Sequence, residues 1–404
     1  MEDTLSAVST KSSLAEKLFY RSLADIRKCS IMVQCNGVTR IFGDASHPLR
    51  AEIVIHNERF FARAVLGGDI GVGEAYMDGD WSSPDVVSVV RAAIRNMPKL
   101  DARNRLVSML TRGMNYLRHW RNDNTETGSL RNIAYHYDLG NDFYGLFLDP
   151  SMAYSCAYYE NAGDSLEAAQ QRKFETICKK LDLRPSDHVI EIGTGWGGFA
   201  AYAATRYGCR ITTTTISKEQ YAFSQDLFAS LPGNRVEVLF EDYRDLTGKY
   251  DKLVSIEMFE AVGYKHYDEF FGICQRLLKP HGKMLLQTIT MNERHFRQYL
   301  RQSDWIKKYI FPGAELASVT GILQSAARVG SLQMVGAEDI GEHYTLTLRE
   351  WRRRFMSRLP DVRRLGFDER FVRMWDFYLS YCEGGFLEHY IGDVQLVLSR
   401  QDLC

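Results

Sequence analysis

The stretch His188-Val-Ile-Glu-Ile-Gly-Thr-Gly-Trp-Gly-Gly-Phe199 constrains this chain more than any other. Its apolar positions, ending in Glu191-Ile192, read as a buried strand. Gly193, Gly195 and Gly197 then make a turn at which the backbone comes close to a bound molecule, and 199–206 continues as a helix. Strand, glycine turn and helix form the opening unit of a nucleotide-binding α/β sheet. A glycine pattern alone is weak, because many loops use glycine to reach positive φ. The segments around it decide the ligand.

Downstream, strand-like runs at 189–192, 210–215, 236–240, 252–256 and 284–289 alternate with helical stretches at 218–230 and 267–278. This alternation predicts an α/β, Rossmann-like domain: a mostly parallel sheet, helices on both faces, and a ligand at the strands' C-terminal ends. Upstream, 14–28 has helical spacing, and 30–33, 38–42, 51–55 and 60–65 read as short strands. The run 66–76 is glycine-rich but follows no long buried strand; 86–95 and 106–120 read as helices. From 118 onward the composition turns polar and charged, which marks a linker. The expected organisation is a smaller α+β N-terminal domain over 1–118, a linker over 119–132 and a catalytic domain over 133–404.

Composition sets the outer limits. The chain has 404 residues, 45% hydrophobic and 25% charged, enough for a sizeable core. A formal net charge of −1 argues against a protein built to bind nucleic acid. The eight cysteines include no Cys-x-x-Cys pair, so no metal site or disulfide framework follows, and reduced thiols are expected. Residues 1–13 are unlike a signal peptide, and no apolar run approaches the ~18 residues that span a bilayer.

A dinucleotide site would place Asp or Glu about 20 residues beyond the glycines. Here the second strand ends Thr212-Thr-Thr-Thr215 and runs into Ile216-Ser-Lys-Glu-Gln220. Glu191 before the glycines and Asp242-Tyr243 after the third strand suit S-adenosyl-L-methionine instead. Its hydroxyls and adenine need short polar partners, and its sulfonium favours aromatic faces or oxygen. A dehydrogenase and an unliganded α/β domain are the competing readings.

Longer motifs carry a resemblance. His136-Tyr-Asp-Leu-Gly-Asn-Asp-Phe-Tyr144, Met152-Ala-Tyr-Ser-Cys-Ala-Tyr158, Glu191-Ile-Gly-Thr-Gly-Trp-Gly-Gly198 and Thr215-Ile-Ser-Lys-Glu-Gln220 come first. Asp242-Tyr-Arg-Asp-Leu246 and Met258-Phe-Glu-Ala-Val-Gly263 follow. In this order they resemble the cyclopropane fatty acid synthase family, which includes the mycolic acid cyclopropane synthases. Gly71-Val-Gly-Glu-Ala-Tyr-Met-Asp-Gly79 resembles the additional domain of the phospholipid-acting members.

The resemblance implies a cytoplasmic enzyme at the inner membrane face, a homodimer, acting on unsaturated phospholipid through its N-terminal lipid-engaging domain. It implies that Tyr154, Ser155, Gly193, Gly195, Thr215, Ile216 and Gln220 touch S-adenosyl-L-methionine, with Asp242 and Tyr243 near the adenine and Glu191 beneath the turn. It implies a bicarbonate ion held by Cys156, Glu260, Tyr344 and the main chain at Ile289, with Cys382 near the same pocket. Gln287 stands where the family usually has His, and Gln cannot titrate near neutrality.

An isolated alkene is a poor nucleophile, so methyl transfer to it needs close delivery in a dry site. The resulting carbocation is expected to face Tyr137, Tyr154 and Tyr344, and a base must remove a proton, with bicarbonate expected in that role. The expected product is a cyclopropane fatty acyl phospholipid; a methyl- or methylene-branched chain is the alternative because of Gln287. Amine N-methylation and a catalytically dead lipid-binding scaffold are weaker readings. Simpler roles stand beside these: Cys178, Cys209 and Cys274 are core thiols, Glu257 either shares the role of Glu260 or caps a strand end, and Arg349, Arg352, Arg353 and Arg354 are either a solvated face or a contact for anionic lipid.

Overall fold

The computed structural model describes residues 13–103 and 139–401. Contacts divide the chain into two compact units, Met1–Met114 and Asn115–Cys404. The expected 106–120 helix, the 119–132 linker and Tyr137 lie outside the described residues.

In the first unit, β1 (Ser30–Cys35), β2 (Val38–Gly43), β3 (Arg50–Ile55) and β4 (Trp81–Ser82) form a sheet in the order β2-β1-β3-β4. The strand expected at 60–65 is instead the start of a helix, Arg59–Met77. Strand alternation would send one of two consecutive rings to solvent. The helix buries both Phe60 and Phe61 against Phe19, at ring distances of 5.2 and 5.5 Å. The glycine-rich run is its second half: the helix bends at Gly68, φ 56°, and a Cβ on Gly71 would lie 2.1 Å from the Arg63 carbonyl oxygen. These glycines permit packing, and they form no ligand loop.

The second unit holds β5 (His188–Ile192), β6 (Arg210–Thr215), β7 (Val236–Phe240), β8 (Tyr250–Ile256), β9 (Leu278–Met291), β10 (Leu332–Asp339) and β11 (Ile391–Arg400). Their order is β10-β11-β9-β8-β5-β6-β7. The pairs β5–β6, β6–β7, β5–β8 and β8–β9 are parallel. The sequence reading stopped at the fifth of these strands. β10 and β11 extend the sheet, and β11 runs antiparallel to both of its neighbours. This is the Rossmann-like α/β architecture with one edge pair added.

Alternation along the strands gives the sheet two buried faces. Ile190, Leu253 and Leu286 pack on one side with Phe270, Phe271 and Leu277. Val189, Val254 and Leu285 pack on the other with Phe174, Ile177 and Ala203. Each such side chain contributes about 1.5–3 kcal/mol when fully buried. Cys178, Cys209 and Cys274 belong to these cores. Chain order reverses between β5 and β8, and in such sheets the ligand crevice opens at the strands' carboxyl ends at this point. The glycine turn follows β5 there, and Glu257 follows β8.

Candidate active site

The glycine turn is shaped to admit a ligand at one position. Gly193, Gly195 and Gly197 all have positive φ (99°, 53° and 85°). A Cβ on Gly193 would meet Met258 at 2.9 Å and one on Gly197 would meet Phe228 at 2.7 Å, whereas a Cβ on Gly195 would enter open space. Glu191 braces the turn from below by accepting from Thr213 Oγ1 at 2.7 Å, and Thr213 pairs with Thr194 at 2.8 Å. Burial pushes the Glu191 carboxyl up to about 8.

Beyond β6, Ser217 caps the helix Lys218–Ala229 by accepting from Gln220 N. Thr215 Oγ1 donates to Gln220 Oε1 at 2.9 Å, which orients the amide. Ile216 is half-buried beside them. Tyr243 OH is buried and has no hydrogen-bond partner among the described residues. Asp242 accepts from Arg244 N and Nη1, both at 3.0 Å. Tyr154 OH pairs with Tyr378 OH at 2.9 Å, and its ring lies 5.2 Å from Trp351. The open Gly195 wall, the oriented Gln220 amide, the orphaned Tyr243 hydroxyl and the aromatic faces fit S-adenosylmethionine.

Glu257, expected either to share the role of Glu260 or to cap a strand end, organises the neighbouring pocket. Glu257 Oε1 accepts from Cys156 N at 2.8 Å and Gln287 Nε2 at 2.7 Å, while Oε2 accepts from Tyr344 OH at 2.6 Å. These are the groups expected to hold bicarbonate. Glu260 instead accepts from Ile289 N at 2.5 Å and Thr288 Oγ1 at 2.9 Å, both on Oε1. Its Oε2 is buried without a partner, and burial, reinforced by Glu257, pushes the carboxyl up to about 8. An added anion would find its donors already taken by carboxylates. The residues present therefore do not fit bicarbonate.

The backbone sets the orientation of Glu257: its φ is 49°, a conformation disfavoured for a residue with a Cβ, and its N–H is tied to Gln287 O at 2.8 Å. Strain of about 1–3 kcal/mol of this kind persists where surrounding contacts over-determine it. Near this partly buried carboxylate lies Lys173, which is 0% exposed and donates to Ser155 Oγ at 2.6 Å. Asp393 and Gln395 approach from β11, where Gln395 lies opposite Gln287 in register. Two polar residues at alternate positions of an otherwise apolar strand were the sequence signal for them.

Other expected residues fall further out. Cys382 sits on the helix Glu369–Leu387, one turn beyond Tyr378, and burial raises its thiol. His343 accepts from Tyr159 N and stacks on Tyr158 at 4.5 Å. Arg349, Arg352, Arg353 and Arg354 pair with Glu383, Asp376, Glu350 and Glu167. These ion pairs account for the arginines as a paired, partly solvated face, with Arg349 and Arg353 more than half exposed.

Fold and site together define an S-adenosylmethionine-dependent methyltransferase. Residues 124–396 match the family described as mycolic acid cyclopropane synthetase, and the chain belongs to that family. It is 39% identical over 354 residues to the cyclopropane-fatty-acyl-phospholipid synthase of Escherichia coli, covering 87% of this chain and 88% of that one. It is 37% identical over 374 residues to the tuberculostearic acid methyltransferase of Mycobacterium tuberculosis, covering 88% and 85%. Among solved structures, a cyclopropane synthase from Mycobacterium tuberculosis superposes with a TM-score of 0.63 at 29% identity, over 67% of this chain and 98% of that one. The enzyme is of the cyclopropane-fatty-acyl-phospholipid synthase type.

Proposed function

We propose that this enzyme transfers one carbon to the cis double bond of an unsaturated phospholipid acyl chain and that Glu257 removes a proton from the added methyl. The observation that carries this reading is the convergence of Cys156 N, Gln287 Nε2 and Tyr344 OH on one carboxylate beside the glycine turn. S-adenosylmethionine, when bound, supplies an electrophilic methyl group. The alkene π pair forms the new C–C bond as the C–S bond breaks and leaves its pair on sulfur. Positive charge then resides on the other alkene carbon, and the mutually packed Tyr154, Trp351 and Tyr344 are the aromatic groups assigned to stabilise it.

Glu257 accepts a methyl proton, and the C–H pair closes a cyclopropane, as the name of the Escherichia coli relative suggests. A second reading rests on Gln287 and Glu257. Hydride migration before the same proton loss gives an exocyclic methylene, in line with the methyltransferase name of the mycobacterial relative. A saturated methyl branch would need a separate hydride donor. The first unit supplies the proposed lipid contact of a peripheral, dimeric enzyme. Leu14 and Leu18 share a helix face, and Val38 and Ile41 on β2 are more than half exposed.

The test is product analysis after incubation with S-adenosylmethionine and vesicles of cis-monounsaturated phospholipid. Upfield cyclopropane methylene signals in the proton NMR spectrum establish ring closure, and vinylic methylene signals establish the branched exit. Absence of any one-carbon lipid product, with S-adenosylmethionine still bound, overturns the lipid assignment.

A further inference from the structure

Asp393 is 0% exposed on β11, yet no donor pairs with its Oδ1 among the described residues. Its Oδ2 accepts at a long 3.4 Å from Gln287 Nε2, and the Glu257 carboxyl and the Cys156 thiol face the same group. The other buried aspartates are satisfied: Asp80 by Arg59 and Arg63, Asp149 by Ser151 and Ala153, and Asp376 by Arg352. A charged carboxylate in that position would be desolvated and unpaired beside the Glu257 carboxylate.

The amide chain behind the site has a fixed direction. Lys180 can only donate, and it donates to Gln395 Oε1 at 2.5 Å. Gln395 Nε2 must then donate to Gln287 Oε1, at 2.9 Å, which turns Gln287 Nε2 toward Glu257 and Asp393. The two carboxyls are thus held together by a common donor whose orientation is set two residues away.

We propose that Glu257 and Asp393 form a two-carboxyl unit sharing a single proton, with Asp393 the positioning residue that keeps it. This rests on the reading of Glu257 as the base. When Glu257 takes the methyl proton, the unit goes from one proton to two and from one negative charge to none. Release of one proton to solvent restores it. Burial, and then the facing Glu257, raise the Asp393 carboxyl far above the ordinary aspartate range. The other titratable or charged groups facing it are Glu260, Lys173, the Cys156 thiol and the Tyr344 hydroxyl.

Isotope-edited infrared spectroscopy of the intact protein carrying labelled aspartate tests this directly. At neutral pH a protonated aspartate carbonyl stretch is expected, and it should vanish in Asp393→Asn. The same variant keeps a donor toward Glu257, so S-adenosylhomocysteine binding should persist while turnover falls at least tenfold. The alkaline limb of the wild-type pH–rate profile should disappear with it. Absence of the protonated band in the wild type overturns the inference whether or not the variant folds. So does an unchanged rate profile in Asp393→Asn. An inactive wild type showing that band would instead count against the lipid reaction and leave the shared proton standing.

Discussion

Tyr344 and Glu257 lie 87 residues apart and meet in a 2.6 Å hydrogen bond, the hydroxyl donating to Oε2. With the Cys156 N–H and the Gln287 amide on the other oxygen, the Glu257 carboxylate is fixed at both ends. Its remaining lone pairs are what a proton acceptor needs, and the fixed geometry spares reorganisation during the reaction.

Glu257→Gln keeps the size of the side chain and removes its basicity. Turnover should drop by about 10²–10⁴-fold, the usual contribution of a positioned general base, with S-adenosylhomocysteine affinity unchanged in calorimetry. Full activity in this variant would eliminate Glu257 as the base.

Gln287→Leu removes the donor to Glu257 and the acceptor used by Gln395, stranding a buried amide. The expected destabilisation is about 1–3 kcal/mol, read from the denaturant midpoint, together with reduced turnover. If stability and rate both stay at the wild-type level, the directed amide chain has no energetic role.

The two raised glutamates set a pH dependence of stability. Burial lifts Glu191 and Glu260 from 4.5 to about 8. Between those values the folded chain holds protons that the unfolded chain has lost, so stability falls as pH rises through the window, and the raised Asp393 carboxyl adds to the same fall. The melting temperature should decline from about pH 5 to about pH 8, and Glu260→Gln should flatten part of the slope. A melting temperature that climbs across this range would contradict the assignment.

The glycine turn separates two effects of one added methyl group. Gly197→Ala drives a Cβ into Phe228 and should cost about 1–3 kcal/mol of stability. Gly195→Ala meets no protein atom and should chiefly weaken S-adenosylhomocysteine binding, with a smaller loss of stability from its positive φ. Equal binding by wild type and Gly195→Ala would place the ligand elsewhere.

The sheet was legible because β5, β8 and β9 carry short apolar runs and β6 a run of β-branched threonines, each set between turn signals. The site was legible in place and only partly in wiring. The motif at 258–263 drew attention to Glu260, while the orientation of Glu257 depends on one positive φ that no residue type announces. Asp393 and Gln395 escaped notice because their partner Gln287 is 106 and 108 residues away in the chain. Phe60 and Phe61 misled in the other direction: adjacent aromatics favour strands by propensity, and packing against Phe19 overrode it.

The left-handed backbone at Glu257 makes this position unusually exchangeable. Glycine is the residue most at ease there, and Glu257→Gly would relax the main chain while leaving the Cys156, Gln287 and Tyr344 donors facing a gap. The pocket would then be a receptor for a small carboxylate or bicarbonate from solution. With Glu257 as the proposed base, one codon would separate an enzyme that carries its base from one that borrows it from the medium, and formate or bicarbonate should restore turnover to the glycine variant in a concentration-dependent way.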